Sequence, residues 1–114
     1  MQVTTVVATM TVVDFDEAVG WYERLLGAVC DAQPMPGLAE WHVAGGVVQV
    51  LADEQRAGSA LLSLGVEDIS AARSELEGRG LALGEATVGV ESTIAVIGDP
   101  AGNTVTLAQP HAGG

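Results

Sequence analysis

The sequence predicts an α+β fold made of two tandem βαβββ modules. Three observations carry that expectation. The order strand, acid-capped helix, three strands can be followed twice along the chain. The two passes share an offset: Asp14 and Asp68 stand 54 residues apart, as do Val12 and Val66, while Gly45 and Gly102 in the last hairpins stand 57 apart. A polar stretch, Asp53 to Gly58, separates the two passes.

Each element has a local reason. Val3 to Val13 is rich in Thr and Val, which favours a strand. Asp14 is placed to cap a helix, with Glu17 three residues on. Phe15, Ala18, Trp21, Tyr22, Leu25 and Leu26 follow at helical spacing, and Gly27 ends the run. Strands are expected at Ala28 to Ala32, Leu38 to Ala44 and Gly46 to Leu51, with Gly45-Gly46 as a hairpin turn. In the second pass Ser59 to Val66 is a strand. Asp68 caps a helix carrying Ile69, Ala72 and Leu76, which stops near Gly78 and Gly80. Glu75, Glu77 and Arg79 read as its solvated face. Further strands are expected at Leu81 to Thr87, Glu91 to Ile97 and Asn103 to Ala108. Asp99-Pro100-Ala101-Gly102-Asn103 is a turn by composition. The whole chain, 1–114, is then one domain: module one about 1–53, a linker about 53–58, module two about 59–110, and a tail from 111 to 114, where His111 is expected to be mobile.

Composition narrows the function. Fifteen acids face four arginines and no lysine, a formal charge of -11. Nucleic-acid binding needs a positive surface and is not expected. A cationic ligand is compatible with that charge, although acidity commonly serves solubility alone. Cys30 is the only cysteine, so no internal disulfide forms and the cytoplasm is the expected compartment. No apolar run is long enough to span a membrane.

Three stretches then converge. They are Val12-Val13-Asp14-Phe15-Asp16-Glu17-Ala18-Val19-Gly20-Trp21-Tyr22, Leu25-Leu26-Gly27, and Asp99-Pro100-Ala101-Gly102-Asn103. Together they resemble the glyoxalase/bleomycin-resistance/dioxygenase superfamily, also called vicinal oxygen chelate proteins, over essentially the whole chain. The resemblance implies a curled mixed sheet around a groove, helices on the outer face, and pairing of modules in a homodimer. It also implies a usual site in which four inward His, Glu or Gln side chains hold one divalent metal. Those positions carry Val7, Gln49, Leu61 and Thr106 here. Two aliphatics, one amide and one hydroxyl do not make a divalent-metal site, which wants at least three good donors. No metal and no other cofactor is expected.

Strand parity supports that placement. With Val7 facing the groove, so do Thr5, Thr9 and Thr11, and Val6, Ala8, Met10 and Val12 face a helix. With Leu61 facing in, Ser59, Ser63 and Gly65 follow, opposite Ala60, Leu62, Leu64 and Val66. The expected lining, with Val47, Leu51 and Thr104 added, is weakly polar and uncharged. Trp41 and His42 are adjacent and face opposite sides. Trp41 is either a stacking platform in the groove or core. His42 is the one acid–base candidate, or an exposed strand residue. The function expected is metal-free binding of a small molecule, of the antibiotic-sequestering kind. The alternative is a glyoxalase-like enzyme (lyase, isomerase, cyclase or dioxygenase) acting on a small oxygenated substrate.

Overall fold

The structure, a computed structural model, describes residues 1–111. The first module runs β1 (Val7–Val12), α1 (Phe15–Leu26), β2 (Ala32–Met35), β3 (Leu38–Val43) and β4 (Gly46–Ala52). The second runs β5 (Leu61–Gly65), α2 (Ile69–Gly78), β6 (Thr87–Val88), β7 (Ser92–Gly98) and β8 (Thr104–Pro110). Each module forms its own four-stranded sheet, in the orders β1-β4-β3-β2 and β5-β8-β7-β6. The outer pairs β1–β4 and β5–β8 are parallel and the other pairs antiparallel. Neither sheet closes on itself.

The helices start and stop where their caps dictate. The Asp14 carboxylate accepts the Glu17 backbone N–H at 3.1 Å, and Gly27 ends α1 at φ 73, a left-handed conformation that glycine adopts freely. Asp68 caps α2 the same way through Ala71. Ala18, Trp21, Tyr22 and Leu25 form the buried stripe of α1. They meet Met10, Val12, Ala39, Trp41, Val48 and Val50 from one face of the first sheet. Leu62, Ala95, Ile97, Val105 and Leu107 do the same for the second sheet beneath Ile69 and Leu76. Each fully buried aliphatic of this kind contributes about 1.5–3 kcal/mol.

Several boundaries differ from expectation, each for a reason of pairing. β1 begins at Val7 rather than Val3, because β4 offers no residue before Gly46 for the upstream segment to pair with. Thr5 therefore precedes the strand. Ala28 to Asp31 is not a strand; the Ala28 carbonyl instead accepts the Trp41 indole N–H at 2.9 Å. Leu81 and Leu83 lie in the core without a ladder. The Arg73 guanidinium satisfies the Leu83 and Gly84 carbonyls at 2.7 and 2.8 Å, where a neighbouring strand would otherwise have done so. Arg79 is not part of a solvated face: its guanidinium donates to the Arg24 and Leu25 carbonyls at the end of α1. His111 is held beside β7, through its N–H to the Glu91 carbonyl just before the strand and its ring to Thr93 within it at 3.1 Å. The rest of the expected tail, 112–114, lies outside the described residues.

β1 and β5 run side by side along a seam between the sheets, with both helices on the same side. The Asp99–Asn103 turn fastens one end of it. Asn103 Nδ2 donates to the Thr11 carbonyl, and the Tyr22 hydroxyl donates to Asp99 Oδ2, both at 2.8 Å. Asp99 Oδ1 accepts the N–H groups of Ala101 and Asn103, so the buried carboxylate is fully engaged.

Candidate functional site

The face of the two sheets turned away from the helices is open to solvent. Its composition follows from register. Thr9, Gln49 and Glu40 form one row across β1, β4 and β3, and Val7, Val47 and His42 form the next. In the second sheet Ser63, Thr106 and Val96 form the equivalent row, and Leu61, Thr104 and Gly98 the next. Gln49 Nε2 donates to Thr9 Oγ1 at 2.7 Å, which orients the amide.

The four positions expected from the resemblance as metal-ligand sites, Val7, Gln49, Leu61 and Thr106, stand on this one face. Val7 is 45% exposed and Leu61 is 80% exposed, with no polar atom to offer. The remaining amide and hydroxyl do not fit a divalent cation, whose desolvation they could not offset. Among the described residues, no three His, Cys, Asp or Glu side chains converge as metal ligands.

Thr9 and Gln49 lie on this face in the first sheet, and Ser63 and Thr106 in the second. Trp41 does not join them. It is 1% exposed, on the helix side, tilted against Tyr22 with ring centroids 6.2 Å apart. Its place is the core, because it pairs with Val48, whose side chain points to the helix. His42 is the member of the pair on the open face, exposed, with its backbone N–H bound to Asp31 Oδ2 at 2.7 Å. The face is also not uncharged. Glu40, which the sequence reading passed over, sits across from Gln49. The signal was available: a two-residue turn, whether Ala44-Gly45 or Gly45-Gly46, puts Glu40 and His42 on the face of Gln49.

At the β1 start, where Thr5, Val47 and Ser63 approach, a concavity of about 690 Å³ opens beside the seam. It is backed by Leu25, Leu64 and Val66 from the helix side. Away from the open face, burial raises the Tyr22 phenol pKa well above the usual value near 10, and the hydrogen bond to Asp99 and that residue's charge add to the rise.

This arrangement of two βαβββ modules is shared with solved structures. A glyoxalase/bleomycin resistance protein from Catenulispora acidiphila DSM 44928 superposes with a TM-score of 0.88, at 26% identity, covering 96% of this chain and 100% of that one. The chain belongs to the vicinal oxygen chelate superfamily. Other vicinal oxygen chelate structures share its fold at lower identity. TnmS3, an antibiotic binding protein from Streptomyces sp. CB03234, matches with a TM-score of 0.82 at 24% identity over 97% of this chain and 99% of that one. Lactoylglutathione lyase from Agrobacterium tumefaciens matches at 0.79 and 13% identity over 95% and 94%. No protein-family model and no curated protein sequence matches this vicinal oxygen chelate chain. No helix among the described residues is long and apolar enough to cross a membrane.

Proposed function

We propose that this vicinal oxygen chelate protein binds a small molecule without a metal and holds it rather than transforming it. The observation that carries the reading is the chemistry of the open face: hydroxyls, one amide and aliphatics stand where metal donors would be needed. The groove residues are Thr5, Val7, Thr9, Gln49, Leu61, Ser63 and Thr106. Hydroxyls and the amide orient a ligand, and the aliphatics add contact area. The charge of -11 suits a cation, and the similarity to an antibiotic binding protein supports antibiotic sequestration. The module boundaries follow the linker at 53–58, and the free thiol of Cys30 suits the cytoplasm. The reading includes a homodimer, as the resemblance implies. Calorimetric titration with bleomycin tests the reading. Saturable binding is expected, unchanged by a chelator, with the compound recovered intact by mass spectrometry. Conversion of the compound, or binding that disappears with the chelator, would refute it.

One observation favours a second reading, an enzyme acting on a small oxygenated substrate: His42 presents an imidazole on the open face. If His42 is the acid–base group, His42→Ala abolishes turnover of that substrate and leaves the thermal midpoint unchanged. Equal turnover by the variant removes the second reading.

A further inference from the structure

The two helices meet their sheets through matching positions and different side chains. The offset of 54 residues puts Ala72, Glu75 and Leu76 of α2 where α1 carries Ala18, Trp21 and Tyr22. It puts Leu64 and Val66, on and just after β5, where β1 carries Met10 and Val12. All four Phe, Trp and Tyr side chains, Phe15, Trp21, Tyr22 and Trp41, belong to module one. Trp21 and Tyr22 meet edge to face with ring centroids 4.8 Å apart, and Met10 and Val12 in the same cluster are 0% and 1% exposed. In module two the matching Leu64 and Val66 are only half-buried, because no ring packs over them.

The missing rings leave a space. A slot of about 110 Å³ lies between α2 and the second sheet, lined by Leu64, Val66, Ala72, Leu76 and Leu107, with Leu25 of α1 on the seam side. Glu75 and Arg79 edge it with opposite charges, so its mouth favours neither sign. Arg79 does not swing across to close it, because its guanidinium is tied to the Arg24 and Leu25 carbonyls. Leu25, Leu64, Val66, Glu75 and Arg79 also line the concavity of about 690 Å³, so the slot is a side pocket of that larger space. An apolar cavity of about 150 Å³ stays dry and holds benzene. The slot is of that order and opens into room for the rest of a molecule.

We propose that this slot is a binding site separate from the open face, and that it takes one aromatic ring of a small molecule at the place where α1 supplies its own Trp21. A short uncharged stem on the ring lies in the concavity. The driving force is burial of the ring against aliphatic side chains, with no polar group inside the slot to be left unpaired. The slot shares no residue with the groove of the open face and does not depend on what that groove binds.

The test titrates benzyl alcohol and 1-propanol into the full chain labelled at its Leu and Val methyl groups. Benzyl alcohol should shift the Leu64, Val66, Leu76 and Leu107 methyls. It should bind about tenfold more tightly than 1-propanol, which brings the hydroxyl without the ring. Ala72→Leu and Leu76→Phe fill the slot from two positions, so that the loss of one fold leaves the other variant to decide. A folded variant should lose the shifts at an unchanged or higher thermal midpoint. If the slot methyls stay still in the natural chain, or move equally in a filled variant, the inference is wrong. If benzyl alcohol moves only the open-face Leu61 and Val96 methyls, the inference fails while small-molecule binding stands. If the slot methyls shift when the protein alone is concentrated, a second copy fills the slot and the inference also fails.

Discussion

Tyr22 shows how one side chain of a family-like motif is used. Helical spacing alone puts it on one face of α1 with Phe15, Ala18 and Leu25. Its partner was not legible, because Asp99 is 77 residues away and only the folded chain brings it within 2.8 Å. Tyr22→Phe keeps the ring and deletes one hydrogen bond to a buried carboxylate. The expected loss is about 2 kcal/mol in urea denaturation. The raised phenol pKa adds a pH signature. The neutral phenol is favoured in the folded state, so its contribution is complete below the unfolded value near 10 and is lost as pH rises above it. Wild-type stability should fall across that range and the Phe variant's should not follow this part of the fall. Tyr22 is the only tyrosine, so absorbance at high pH should report its ionisation together with unfolding.

Helices and the β3–β4 hairpin were legible because their signals are local. Asp14, Gly27 and Asp68 act within a turn of the positions they control. The strands that were misplaced, at Ala28 and Leu81, depend on partners elsewhere in the chain, and Arg73 replaces a strand in a way that local pattern does not reveal. The linker between the modules is another such element. Gly58 has φ +91, and a Cβ there would lie 2.6 Å from the Ala101 carbonyl oxygen. Gly58→Ala therefore forces the linker away from the Asp99–Asn103 turn. A loss on the order of 2 kcal/mol is expected from the conformation alone, read as a lowered thermal midpoint. Gly20→Ala is the matched control, with nothing within 4 Å of its added Cβ.

At the scale of the molecule, the resemblance suggested the site positions and the parity the face, while the charge on that face follows from the β3–β4 hairpin, whose two-residue turn sets the parity of Glu40. The proposed homodimer is checked by light scattering, where a solution mass of twice 11.6 kDa is expected; a monomer at micromolar concentration would dispose of it. Duplication alone does not explain how the two modules meet. Module two contributes Asp99, Asn103 and Arg79, and module one contributes Tyr22 and the carbonyls of Thr11, Arg24 and Leu25. The reciprocal positions hold Val43, Gly46, Leu25 and Leu76, which cannot return those bonds. Module two brings a carboxylate, an amide and a guanidinium to this contact, and module one a phenol and backbone carbonyls. Two copies of the same module would find no mate in each other, so wherever modules of this protein join by this contact, a first must meet a second.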